Sequence, residues 1–154
     1  MSPILSNIYL HKLDEFVEQV LIPENTRGVI RKFNPEYKRL TGRIERGRKR
    51  GDRVLVREVT KARRLLPSGD PRDPGYRRLR YIRYADDHLL GFTGPRAEAE
   101  NIKQRLTMFL RDELKLELSQ EKTLITHARS QAARFLGYEI SAYQGTPSCS
   151  TVED

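Results

Sequence analysis

From the third residue onward the apolar positions Ile4, Leu5, Ile8, Leu13, Phe16, Val17 and Val20 recur at roughly helical spacing. This predicts an amphipathic helix over 3 to about 21. Ser2 reads as its N-cap and Pro3 as a first helical residue whose missing N–H costs nothing, while Pro23 is expected to end it. Apolar positions then thin out. The stretches 36 to 49 and 54 to 66 have helical composition but narrow apolar faces, and 66 to 75, with three prolines and two glycines, reads as a loop. Beyond the loop the period changes. Residues 79 to 84 and 88 to 93 are short runs rich in aliphatic and aromatic residues, joined at Ala85-Asp86-Asp87, and predict strand, acidic turn, strand. A helix is expected after Gly94-Pro95, with the stripe Ile102, Leu106, Phe109, Leu110, Leu114 and with Leu116 and Leu118 at its exit. Two more short strands are expected at 123 to 126 and 135 to 140, and a polar, disordered tail at 144 to 154. No internal repeat is visible.

Length and composition narrow the class. With 154 residues, 37% hydrophobic and 32% charged, the chain is long enough for one packed domain and polar without reaching the signature of disorder. Its net charge of +8 is unevenly spread: residues 26 to 83 hold 20 Lys/Arg against 6 Asp/Glu, leaving the remainder at −6. One stretch is thus suited to an anionic partner, with nucleic acid the default and a solvated helical face the plain alternative. Tyr37, Tyr76 and Tyr81, interleaved with the cations, suit occasional base stacking. No run approaches the roughly 18 apolar residues of a membrane span, and Ser2, Asn7, His11 and Lys12 interrupt any signal-peptide core. Cys149, the single cysteine, excludes an internal disulfide and a cysteine-cluster zinc site, so a reducing cytoplasmic setting is expected. His11, His88 and His127 lack ligand spacing, which also argues against zinc.

Asp86 and Asp87 are the residues that suggest catalysis. Adjacent carboxylates repel, and a fold keeps them comfortably only if water, a basic side chain or a divalent cation neutralises them. Magnesium suits hard oxygen donors of this kind and, in pairs, stabilises the attacking and leaving oxygens of phosphoryl transfer. A bare Asp-Asp is more often simply a solvated hairpin turn, since Asp is a favoured turn residue.

The surroundings of the pair change that balance. Tyr84-Ala85-Asp86-Asp87 followed by Leu89-Leu90-Gly91-Phe92 resembles the catalytic hairpin of reverse transcriptases, in particular group II intron-encoded reverse transcriptase/maturases. Further blocks follow in the family's order. The run Ser2-Pro3-Ile4-Leu5-Ser6-Asn7-Ile8-Tyr9 to Asp14 resembles a template-positioning block and the helix after it. Asn34-Pro35-Glu36-Tyr37 and Leu66-Pro67-Ser68-Gly69-Asp70 resemble the basic insertion before the hairpin. Leu116-Glu117-Leu118-Ser119-Gln120-Glu121-Lys122-Thr123 and Phe135-Leu136-Gly137-Tyr138 resemble the later palm blocks.

The resemblance implies an α+β fold: a partial polymerase palm over 1 to 143, with a catalytic β-hairpin packed against helices and a basic, RNA-binding helical insertion at 26 to 78. It implies RNA-templated DNA synthesis with Mg2+ at Asp86 and Asp87, and intron RNA, an RNA template, a DNA primer and deoxynucleoside triphosphates as partners. By the same resemblance Ser2 and Pro3 would lie near the template, Tyr84 near the primer end, and Lys122 near the triphosphate. As sequence alone, Ser2-Pro3 is only a helix start, Tyr84 a sheet filler, and Lys122 a solvated lysine. Arg46, Arg48, Lys49 and Arg50 are the centre of the basic insertion. The family's fingers and an earlier palm strand with another metal-binding aspartate are expected before Ser2, and the thumb after the last block. The chain therefore resembles a central palm fragment, with Met1 an internal start, inactive alone unless missing segments are supplied in trans. His88 departs from the family's usual apolar residue. The rival reading is a non-catalytic RNA-binding fragment or degenerate gene product.

Overall fold

The structure, a computed structural model, describes residues 3 to 142; Ser2, Cys149 and the tail expected to be disordered lie outside them. Helix α1 (Pro3–Phe16) runs without a break into a π-helical turn (Val17–Leu21) and a short α2 (Ile22–Glu24). Pro23 therefore sits inside the helical path and does not end it. A proline ring collides with the carbonyl four residues back and offers no N–H. Immediately before it the ladder is widened, with the Ile22 N–H donating to the Val17 carbonyl, and this wider turn accommodates the ring. Asn25 then caps the exit, its backbone N–H and side-chain amide both donating to the Leu21 carbonyl.

The basic stretch forms a helical pair, α3 (Pro35–Arg50) and α4 (Arg53–Arg64). The Asn34 side chain accepts from the Glu36 N–H at 3.0 Å and Asp52 accepts from the Leu55 N–H at 3.0 Å, so each helix has an N-cap. Gly51 closes α3 at φ 70°, a left-handed conformation suited to glycine. The helices cross closely at Gly47, where an added Cβ would meet Val56 at 3.0 Å. Leu40, Ile44 and Val59 are their buried centre, with Leu55, Val56 and Leu66 packed around it.

Strands β1 (Arg78–Tyr84) and β2 (Asp87–Thr93) form an antiparallel hairpin, each strand one residue longer at its N-terminal end than the sequence pattern predicts, which puts Asp87 in the ladder. In this register Leu79, Tyr81 and Arg83 share a face with Phe92, Leu90 and His88. That face meets a second core of Leu10, Leu13, Val17, Leu21, Ile102, Leu106, Leu110 and Leu114, supplied by α1, the π turn and α5 (Arg96–Glu113) with its exit. Phe16 and Phe109 stack between α1 and α5 with centroids 4.1 Å apart. The opposite face stays open: Ile82 and Tyr84 are 56% and 66% exposed.

Past α5 two expectations need correction. Residues 123 to 126 form no strand and enter no ladder; Lys103 donates to the Thr123 carbonyl instead. The run 135 to 140 is not one strand but the end of a hairpin, β3 (Ala133–Phe135) and β4 (Tyr138–Ile140). Leu136 and Gly137, at φ 52° and 81°, make its two-residue turn, the positive-φ pair that suits tight hairpins. Among the described residues the molecule is thus a mixture of helices and two separate two-stranded sheets, an α+β arrangement.

Candidate active site and nucleic-acid interface

The hairpin's inward residues alternate with outward ones, which decides where the chemistry falls. Tyr84 pairs with Asp87 on the open face, and Ala85-Asp86 is the connecting turn. Asp86, Asp87 and Tyr84 are all exposed at the tip. Neither carboxylate enters an ion pair among the described residues. Exposed, cation-free oxygen donors fit a hard divalent ion, but two carboxylates leave most of an octahedral shell to other ligands. No group of three or more His, Cys, Asp or Glu placed to hold a metal occurs among the described residues. The structure gathers Asp86, Asp87 and Tyr84. It ties Lys122 to none of them, placing it exposed in the turn after α5 without a hydrogen bond or ion pair. Pro3 begins α1.

Ala85 takes φ 53°, an uncommon conformation for a residue with a Cβ. Directly before the turn, Arg83 points to the helical side. Its Nε and Nη2 donate to the two oxygens of Asp14 on α1 at 2.8 and 2.6 Å, and its Nη1 donates to Asn7 Oδ1 at 3.1 Å and to the Ala85 carbonyl at 2.5 Å. Tyr81 donates its hydroxyl to the same carboxylate at 2.9 Å. The Arg83 guanidinium holds the Asp14 carboxyl below its ordinary value of 3.8 despite partial burial, with Tyr81 assisting. Burial, with the Asp14 charge behind it, pushes the Tyr81 phenol well up. His88, on the same face, is held below its ordinary value mainly by burial, against the pull of the Asp86 backbone and the Asp87 charge.

A second clamp holds the hairpin's base. Arg77, buried, makes a two-pronged contact to Glu98 on α5 at 2.8 and 3.1 Å and donates to the Asp73 and Tyr76 carbonyls. The Asp73 carboxylate accepts from the Lys32 and Gly75 N–H groups, and Arg27 and Arg77 exchange backbone hydrogen bonds. Gly28, at φ 74°, lies against the Gly75 carbonyl, where a Cβ would come within 2.4 Å. These bonds lock the loop of 66 to 75 and join the helical pair to the hairpin.

On that pair Arg46, Arg48, Lys49 and Arg50 are exposed in the last turns of α3 and make no ion pair, so their charge is open to an anion. The tyrosines are not free for stacking in the way the sequence suggests. Arg63 covers Tyr37 at 5.3 Å, Arg31 and Arg78 lie over Tyr76 at 5.0 and 4.3 Å, and Tyr81 is half-buried on Asp14. The Arg83–Asp14 and Arg77–Glu98 clamps were not foreseen from the sequence. Strand parity carried a signal for the first, because an arginine in phase with Leu79 and Tyr81 must enter the covered face and needs a buried partner.

Fold and site together define an α+β protein that presents paired carboxylates on a hairpin tip and carries a cationic helical pair with its own small core. The comparisons place it further. The chain is 39% identical over 146 residues to the group II intron-encoded protein LtrA of Lactococcus lactis, covering 91% of this chain and 24% of that protein. It is 38% identical over 141 residues to the COX1/OXI3 intron 1 protein of Saccharomyces cerevisiae, covering 92% of this chain and 16% of that protein. Protein YkfC of Escherichia coli is 29% identical over 140 residues. No family model matches the chain, and no solved structure matches it. Over about nine-tenths of its length the chain is thus a relative of group II intron-encoded proteins, and it spans a quarter or less of the length of the first two relatives. No helix among the described residues is long and apolar enough to cross a membrane.

Proposed function

We propose that the chain is the central palm portion, over 1 to 143, of a group II intron-type RNA-directed DNA polymerase, with 26 to 78 as its RNA-binding insertion. The observation that carries this is the Tyr84-Ala85-Asp86-Asp87 tip, with both carboxylates exposed and unpaired on a hairpin whose other face is packed on helices. In this reading Asp86 is the principal ligand of Mg2+ and Asp87 its neighbour. When bound, the ion supplies charge neutralisation at the triphosphate and lowers the pKa of the primer hydroxyl. Tyr84, beside Asp87 on the open face, supports the primer end, and Ser2 and Pro3 are the residues assigned to template contact. Lys122 stands in the following block as a cation free to neutralise the pyrophosphate leaving group. Arg46, Arg48, Lys49 and Arg50 contact intron RNA through its phosphates, assisting its folding for splicing. A cytoplasmic setting accords with the lone cysteine of the sequence.

Two carboxylates do not complete a two-metal site, so these 154 residues alone are expected to be inactive. Primer extension on an RNA template with Mg2+ and all four deoxynucleotides tests this. The chain alone should extend nothing; co-expression with the upstream fingers and first-palm segment of a homologous reverse transcriptase should yield extension that Asp86→Asn abolishes. Extension that survives Asp86→Asn would sink the reading. The second reading, a non-catalytic RNA-binding fragment, is favoured specifically by the unpaired cations of α3 and predicts RNA binding with no extension in any combination.

A further inference from the structure

The Asp pair sits on a turn that should not hold itself. Ala85 adopts φ 53°, a left-handed conformation that is uncommon and unfavourable for a residue with a Cβ. The tip also projects beyond the apolar contacts, since Tyr84, Ala85, Asp86 and Asp87 are all exposed. Neither packing nor local preference fixes it.

What touches the turn is Arg83. One guanidinium makes four hydrogen bonds, two to Asp14, one to Asn7 and one to the Ala85 carbonyl, and only 11% of the Arg83 side chain is exposed. Asp14 and Asn7 lie seven residues apart, two turns along one side of α1. The planar fork therefore bridges two levels of that helix to the backbone of the turn, and Tyr81 braces Asp14 from the adjacent inward position. A lysine in the same place could keep the charge but not this geometry, because its ammonium is a single point with three donors.

We propose that Arg83 is a positioning residue: it ties the Ala85–Asp86 turn to α1 through Asp14 and Asn7, so that α1 sets the direction in which Asp86 and Asp87 point. The proposal deepens the polymerase reading and rests on it for its purpose, but its test needs no metal or nucleic acid. Any segment bearing on α1 would move the carboxylates with it, coupling the template side of the site to its metal side.

Backbone 15N relaxation on the full 154-residue chain tests it. In the wild type the amides of Asp86 and Asp87 should have order parameters near 0.85, as in rigid backbone. In Arg83→Lys they should fall below about 0.6, with those of Leu79, Ile82 and α5 unchanged. Asn7→Ala, which removes an exposed acceptor and leaves the Asp14 pair in place, should give an intermediate fall at the same two amides. Because Asn7 is exposed, that variant decides the matter if Arg83→Lys fails to fold. Tip amides that stay at wild-type order in the folded variants would overturn the proposal, as would a loss of order spread evenly through the hairpin. A rigid tip lost in Arg83→Lys, together with no extension in the complemented assay, would leave the positioning role standing and remove the catalytic reading.

Discussion

The two cores of the molecule treat charge in opposite ways. In the body built from α1, the hairpin and α5, the inward arginines Arg77 and Arg83 are both held by carboxylates, and the apolar centre has nine buried residues. In the helical pair α3–α4 the apolar centre has only three buried residues, and the cations at the end of α3 are left to water. Desolvated charge must be paired within the chain, whereas solvated charge costs nothing to leave open. The arginines of the body are consequently part of its architecture, and those of the helical pair are available to a ligand.

The widest separation between the regions should be in RNA binding. Replacing Arg46, Arg48, Lys49 and Arg50 together with Gln should flatten the slope of log affinity against log salt by about 3–4 units, since each phosphate contact contributes about 0.9. Their exposure predicts little change in thermal stability. Filter binding over a salt series measures the first and calorimetry the second; an unchanged slope would move the RNA contact elsewhere.

Core truncation separates the regions next. Leu106→Ala should cost about 2–5 kcal/mol and loosen the whole hairpin body, because Leu106 is buried among residues of all three of its elements. Ile44→Ala should cost a similar amount but release chiefly the helical pair, leaving hydrogen exchange of β1 and β2 near wild type. Equal loss of protection in both regions from Ile44→Ala would mean that the two cores unfold as one.

Acid should act on the body. Asp14 and Glu98 are both held below their ordinary values of 3.8 and 4.5, each first of all by its arginine hydrogen bond. A depressed folded pKa stabilises the fold above the unfolded value, and that contribution is lost as pH falls through the folded value. Stability should therefore be level above about pH 5 and decline below about pH 4. Asp14→Asn should be less stable at pH 7 by about 3 kcal/mol, the low end for a buried pair, and show a shallower acid decline. An acid limb of unaltered slope would show that the tip clamp carries none of it.

How much of this was readable in the sequence differs between the regions for physical reasons. The hairpin and its acidic turn were legible because alternating apolar residues around Asp86 and Asp87 carry a period of two. The caps at Asn34 and Asp52 follow short-range rules, and α3 and α4 fell within a residue or two of expectation. The helix past Pro23 was not legible, because a π turn compensates for the proline through backbone geometry that leaves no compositional mark. The Leu136-Gly137 turn was hidden inside an apolar run. Of the site, the carboxylates and the open cations could be named from local pattern, whereas the Arg83–Asp14 clamp joins residues 69 apart. The occupied faces of Tyr37 and Tyr76 likewise depend on arginines that only the folded chain brings near.

The claim that matters most is that the hairpin tip holds a divalent cation. Titration of the 15N-labelled chain with Mn2+, an octahedral oxygen-seeking stand-in for Mg2+, reads this directly through paramagnetic broadening. Broadening should centre on the amides of Ala85, Asp86 and Asp87, be displaced by excess Mg2+, and vanish in the Asp86→Asn, Asp87→Asn double variant. Broadening centred on another acidic surface, such as Asp112 and Glu113 at the end of α5, or left intact at the tip by the double variant, would contradict the account.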